Sequence, residues 1–254
     1  MLSLWLEFLP VILGLMTLLW VVSVFMKNAS IVDPFWGFGF VVAAWYYVAR
    51  ADGSSARQGI MLLLVTIWGL RLSLYLLVRA MGHGEDFRYQ NFRAKWGHKY
   101  WWFSYFQTFV LQGVILWLVS APLAAAAAGT AGPWFLDGLA AVLWLIGFAF
   151  EAGGDWQLSK FKKDPANKGK VLNTGFWRYT RHPNYFGDSV VWWSYGIFAV
   201  AAGFYWPLLS AALMMFFLMK VSGVAMLEKT IVDRRPEYAE YIQRTSAFFP
   251  RPPR

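Results

Sequence analysis

Cysteine is absent from all 254 residues, and that one absence excludes disulfides, thiolate nucleophiles, iron–sulfur clusters and cysteine-held zinc. Histidine is almost as scarce. His83, His98 and His182 are the full set and lie far apart in sequence, so a histidine-rich membrane di-iron centre is excluded and no metal is expected. The loops by which soluble enzymes hold nucleotides are missing too. "GHGEDF" (82–87) has two glycines but no third, and no strand leads into it, so it is not the fingerprint of a doubly wound dinucleotide fold. A phosphate-binding P-loop is likewise absent.

Charge is thin, at 15% of residues against 58% hydrophobic, and the apolar residues come in blocks of about 20, enough to cross a bilayer as helices. Seven such blocks are expected as spans, near 2–26, 35–49, 59–79, 104–127, 134–154, 188–203 and 205–226. The fold class is therefore an all-α polytopic membrane protein, a single membrane domain over 1–254. The first block has no basic start, is too long for a signal-peptide core and lacks a small-residue cleavage site, so it is expected to stay as a span.

The formal charge of +9 sits between the apolar blocks, which suits an anionic membrane surface or an anionic cofactor better than nucleic acid. Counted with Arg79 and Lys220 near the ends of spans 3 and 7, the stretches following spans 1, 3, 5 and 7 hold 20 of the 23 Lys and Arg. Arg50 and Arg57 lie on the other side, and Arg71 lies within a span. This asymmetry puts the N-terminus outside and the C-terminus in the cytoplasm.

The polar residues gather on that cytoplasmic face. Glu151 and Asp155 are four apart at the end of span 5 and share a helix face; Asn184 and Asp188 repeat the spacing at the start of span 6. In "RYTRHPNYFGD" (178–188), Pro183 suits a first helical turn, with His182 at the cap. Helix N-termini attract phosphates, and Arg178 and Arg181 stand just before this one. Tyr179 and Tyr185 add flat surfaces and hydroxyls, so the segment is expected to form a nucleotide-binding lip. Arg71 demands a partner or a polar cavity inside its span, and Tyr75 shares its face. Asp33 stands at the entry to span 2; Glu85, Asp86, Arg88 and Tyr89 follow span 3, with a local Asp86–Arg88 ion pair expected.

At these residues a resemblance enters. "LNTGFWRYTRHPNYFGD", preceded by "FEAGGDWQLSKFKKDPANKGKV" and followed by "MLEKTIVDRRPEYAEYIQRTSAFFPRPP", resembles the steroid 5-alpha-reductase family, in its bacterial branch, over roughly residues 145–250. The shorter RHPxY core is shared with sterol reductases and isoprenylcysteine carboxyl methyltransferases. The resemblance implies a seven-helix bundle in the bacterial inner membrane that binds NADPH from the cytoplasm and a steroid-like lipophilic substrate from the bilayer. It places Glu151, Asp155, Lys162, Lys170, Asn184, Asp188 and Glu228 at cofactor-binding positions. The family's catalytic Gln-Glu pair has only Asp33 for a counterpart, and its span-3 tyrosine falls near Trp68. Reducing a conjugated double bond needs hydride at the β-carbon and an acid at the carbonyl oxygen. Asp33 with Tyr75, Glu85 or Tyr89 are the candidates for that acid. The alternatives are an S-adenosylmethionine-dependent methyltransferase acting on a lipid or prenylated substrate, and a non-enzymatic lipid-binding protein.

Overall fold

A computed structural model of the chain describes residues 1–129, 134–221, 224, 228 and 237–253, and every regular element among them is helical. In order these are α1 (Leu2–Met26), α2 (Val32–Arg50), α3 (Ala56–Ala80) and α4 (Phe87–Trp96). A nearly unbroken run follows: α5 (Tyr100–Ser104), a π-helical turn (Tyr105–Val110), α6 (Leu111–Val119) and α7 (Ala121–Ala128). Then come α8 (Trp134–Lys163), α9 (Pro183–Ala201), α10 (Leu208–Phe216) with a π turn at Phe217–Val221, and α11 (Tyr238–Arg244). The chain divides into two compact units, Met1–Gly132 with Ala201–Phe204 and Pro133–Val200 with Tyr205–Arg254.

Among the described residues, five helical stretches are long and apolar enough to cross a membrane: Leu2–Met26, Ala29–Arg50, Ala56–Ala80, Phe87–Ala128 and Trp134–Lys163. The other two expected spans also appear as helices. α9 begins at Pro183, five residues before the expected 188, and its polar opening turn dilutes its hydropathy; α10 with its π turn makes only a short apolar helix. Residues 222–223 and 225–226 of the seventh expected span lie outside the described residues. Exposed Leu18, Leu63, Leu74 and Leu145 cover helices whose backbone bonds are satisfied internally, the arrangement lipid requires.

Local chemistry sets the helix ends. Ser55 accepts from the Gln58 backbone N–H while the Gln58 side chain accepts from the Ser55 N–H, a reciprocal capping box that starts α3. The side chains of Gln58 and Arg57 then donate to the Ala127 and Gly129 carbonyls, satisfying acceptors that the end of α7 leaves open. Lys27 ends α1 in the left-handed region at φ 51°.

In the first unit α2 and α3 meet through Gly37 and Gly69. A Cβ on Gly69 would lie 2.5 Å from the Gly37 carbonyl oxygen, and one on Gly37 would lie 2.3 Å from the Gly69 oxygen. Small residues at such points let backbones approach and gain packing that the lipid cannot supply. Gly69→Ala is expected to cost about 1–3 kcal/mol or more, since backbone rather than a flexible side chain must yield. Thermal unfolding in detergent checks this; a melting temperature equal to the parent's means the helices are not pressed together there.

In the second unit the same device recurs. A Cβ on Gly187 would fall 2.4 Å from the Glu151 nitrogen and the Gly147 oxygen, and Gly154 packs on Pro183 and Asn184. α8 and α9 are thereby held close at the level of the acidic residues they carry.

Candidate active site

Each unit carries a polar centre. In the first, Asp33 lies in the opening turn of α2, where the free N–H groups favour a carboxylate. Its Oδ2 accepts from Arg88 Nη2 at 2.6 Å and its Oδ1 from the Tyr89 hydroxyl, also at 2.6 Å. Both donors come from the first turn of α4, which Asp86 caps by accepting the Arg88 backbone N–H. The expected Asp86–Arg88 pair is present at 2.8 Å, but the guanidinium also reaches Asp33, 55 residues away. Burial alone would raise the Asp86 carboxyl; the hydrogen bonds and charge of Arg88 outweigh it and hold Asp86 below the usual carboxylate range.

The Tyr89 oxygen in turn accepts from Gln112 Nε2 at 3.3 Å, and Gln112 Oε1 accepts from Trp36 Nε1 at 2.6 Å. A directed chain thus runs Trp36 to Gln112 to Tyr89 to Asp33, every donor pointing toward the carboxylate. Gln112 and Trp36 were not among the expected site residues. The available signal was Gln112 itself, a lone amide in the apolar run "FVLQGVILWLV". The π turn just before it adds a residue to the helical register, a feature often found at functional sites.

The remaining acid candidates are placed differently. Glu85 accepts from the Ala29 backbone at 2.7 Å and from Arg93 through both oxygens at 2.9 Å, bracing the α1–α2 connection against α4. Tyr75 has Arg71 and Arg79 one turn to either side, 5.4 and 5.9 Å from its ring centre, a cation–π arrangement. Trp68 is fully buried against Phe40.

The second centre lies where α8 meets the start of α9. Glu151, Asp155 and Asp188 are all buried, and Asn184 donates from Nδ2 to Asp155 Oδ1 at 3.1 Å. Asn184 Oδ1 is buried with no hydrogen-bond partner. Lys162, Lys170, Arg178 and Tyr179 are exposed near the acids in sequence, and the Tyr185 ring stacks on His182 at 5.7 Å.

Arg181 and His182 do something not foreseen. Arg181 grips Glu228 with two bonds of 2.7 and 2.9 Å and donates from Nη1 to the carbonyls of Ile242 and Thr245. His182 Nε2 lies 3.0 Å from the same carboxylate. The backbone adds Arg181 N to Ser246 O and Arg251 N to Tyr179 O, both at 2.9 Å, and Thr180 donates to Phe248 O. The guanidinium expected at a phosphate is bonded here to Glu228 and to the C-terminal segment. Among the described residues, no three His, Asp or Glu side chains converge as a metal set.

A family described as a protein of unknown function, DUF1295, matches residues 19–245, nearly the whole chain and both centres. The chain belongs to the DUF1295 family. DUF1295 lies within the steroid 5-alpha-reductase-like superfamily. An uncharacterized protein of the yeast Schizosaccharomyces pombe is 29% identical across 95% of this chain and 80% of its own length. No solved structure matches.

In this DUF1295 chain the tail contact is expected to respond to pH. Burial would raise the Glu228 carboxyl, but His182 and Arg181 override it and bring it from 4.5 down to about 2. A depressed acid contributes stability that is complete above its unfolded value and fades as pH falls through the folded one. The tail is therefore expected to loosen between pH 4.5 and about 2. With no native cysteine to compete, Arg251→Cys carrying a dye reports this by fluorescence anisotropy. Glu228→Gln should flatten the step; an identical step in that variant would assign it to another group.

Proposed function

We propose that the chain is an NADPH-dependent reductase of the carbon–carbon double bond of a 3-oxo-Δ4 steroid or similar lipophilic enone. It works as a seven-span protein of the bacterial inner membrane with its site open to the cytoplasm, the face the basic residues favour. The observation that carries the reading is the 2.6 Å bond from the Tyr89 hydroxyl to Asp33, at the end of a donor chain from Trp36 through Gln112.

That array suits carbonyl activation. A carbonyl oxygen arriving at Tyr89 takes the hydrogen bond now given to Asp33, and the phenolic proton follows as negative charge develops there. Gln112, which already donates to the phenol oxygen, supports the charge left behind, and Arg88 lies 5.3 Å from the ring. Asp33 positions the phenol; Glu85, bound on both oxygens, acts as a brace.

The residues of the second centre fit the cofactor. Asn184 Oδ1, buried and without a partner, would accept from an amide such as a nicotinamide carboxamide. Glu151, Asp155 and Asp188 suit hydroxyl donors such as riboses, and Lys162, Lys170 and Arg178 suit phosphates. When bound, NADPH supplies the hydride for the β-carbon. Arg181, His182 and Glu228 hold the tail beside that centre rather than gripping a phosphate.

The test uses purified protein in detergent. NADPH at a hundred times its dissociation constant should stabilise the fold by about 2.7 kcal/mol, with S-adenosylmethionine inert, and a Δ4-3-ketosteroid should lose its enone absorbance. Stabilisation by S-adenosylmethionine alone would assign the chain to methyl transfer.

A further inference from the structure

One cavity in the first unit is not used by the proposed reaction. It encloses about 290 Å³ where the end of α1 meets α4 and α5, and is lined by Ser23, Lys27, Arg93, Tyr100, Trp101 and Ser104, with Val24 and Ala29. Its two serines are occupied, each hydroxyl donating to a carbonyl three residues back. Three donors remain. Tyr100 is 1% exposed, and its hydroxyl meets Thr108 without a bond of normal geometry to it or to any other described group, so an oxyanion in reach would offer it a better acceptor. Arg93 spends Nε and Nη2 on Glu85 and the Lys27 carbonyl, leaving Nη1 outside these bonds. Lys27 is exposed and makes no ion pair among the described residues. Two cations against the single carboxylate of Glu85 leave one net positive charge.

The rest of the wall is apolar, and the cavity sits at the end of a membrane-length helix. Phe25 and Met26, just before Lys27, and Trp101 are strongly exposed, as side chains at a lipid boundary are. We propose that this cavity binds the phosphodiester oxyanion of an anionic phospholipid, with Lys27, Arg93 and Tyr100 holding the head and the exposed apolar side chains meeting the tails. A zwitterionic head would bring its own cation toward Lys27 and Arg93 and is disfavoured. Free phosphate offers the same oxygens without the tails. The inference is independent of the reductase reading, since none of these residues belongs to the Asp33–Tyr89 array.

Two substitutions leave the surroundings intact. Lys27→Asn removes the charge while keeping a residue that tolerates the left-handed backbone there. Tyr100→Phe removes only the hydroxyl and keeps the ring 4.7 Å from the Arg93 guanidinium. Arg93 is left alone, because it anchors Glu85. Native mass spectrometry of the delipidated full chain titrated with phosphatidylglycerol, phosphatidylcholine or inorganic phosphate reads the site directly. The expected result is one retained phosphatidylglycerol, held about tenfold more tightly than phosphatidylcholine, with each variant weakening it about tenfold and unfolding unchanged. Equal retention of the two lipids overturns the proposal, as does wild-type retention of phosphatidylglycerol by both variants. Displacement of the lipid by inorganic phosphate at matching concentration overturns the lipid as the ligand and assigns a free-anion site.

Discussion

Tyr89→Phe is expected to lower enone turnover by about 10²–10⁴-fold, the usual contribution of a positioned acid, while NADPH binding stays within a factor of two. The phenylalanine keeps the ring beside Arg88 and removes only the hydroxyl between Asp33 and Gln112. Asp33→Ala should remove turnover as well, with binding again intact, because it frees both Tyr89 and Arg88 from the carboxylate that orients them. The pair is informative as a set. Single-turnover rates and NADPH affinity measured together separate loss of chemistry from loss of fold. Normal turnover in Tyr89→Phe with a dead Asp33→Ala would move the proton donor to the carboxyl itself; normal turnover in both would remove this array from the reaction. Glu85→Gln serves as the contrast, since it breaks the Arg93 brace and should cost stability before chemistry.

Much of the helical framework was readable because its determinants are local. α1 and α3 fall where their apolar blocks do, and Pro183 opens α9 as its fixed backbone angle favours. The Asp86–Arg88 pair was legible for the same reason: two residues of separation and opposite charge. What local pattern could not show is where a side chain goes once its neighbours in sequence are satisfied. Arg88 reaches back to Asp33, Glu85 to Ala29, and Gln112 joins Trp36 to Tyr89 across 76 and 23 residues. The lone polar residue in an apolar run announces that it has a partner without naming it.

The nucleotide lip illustrates the same limit from the other side. Arginines before a helix N-terminus are equally suited to a phosphate and to a carboxylate with open carbonyls, and composition does not rank the two. Arg181 takes the second. The two stretches that carry the resemblance, "RYTRHPNYFGD" and "TSAFFPRPP", turn out to be docked on one another through Tyr179, Thr180 and Arg181 against Ser246, Phe248 and Arg251. Their specificity as motifs then has a physical source besides ligand binding: each is the complement of the other. It follows that substitutions at Tyr179, Thr180, Arg181 or the tail residues they bond will disturb tail docking first, and that the cofactor reading is best tested at residues outside these latch contacts, such as Asn184, which bonds Asp155 instead.

Asn184→Ala meets that condition and is expected to raise the NADPH dissociation constant about 100-fold. The loss combines one acceptor for the ligand with the bond that steadies Asp155, each worth about 1–3 kcal/mol where buried, and tenfold in affinity corresponds to about 1.4 kcal/mol. Asp155→Ala should weaken binding at least as much, because it leaves Asn184 without its anchor. Asn184→Asp separates shape from charge. It keeps the size and the accepting oxygens but sets a second carboxylate against Asp155, so its affinity should improve as pH falls and one of the two acids takes up a proton. Isothermal titration of the three variants from pH 5 to 8 reads this directly. Wild-type affinity in Asn184→Ala would leave its buried oxygen to water and take the cofactor away from α8 and α9. A pH-independent Asn184→Asp would mean that the two side chains do not share one site, and the pairing of Asn184 with Asp155 could no longer support the cradle.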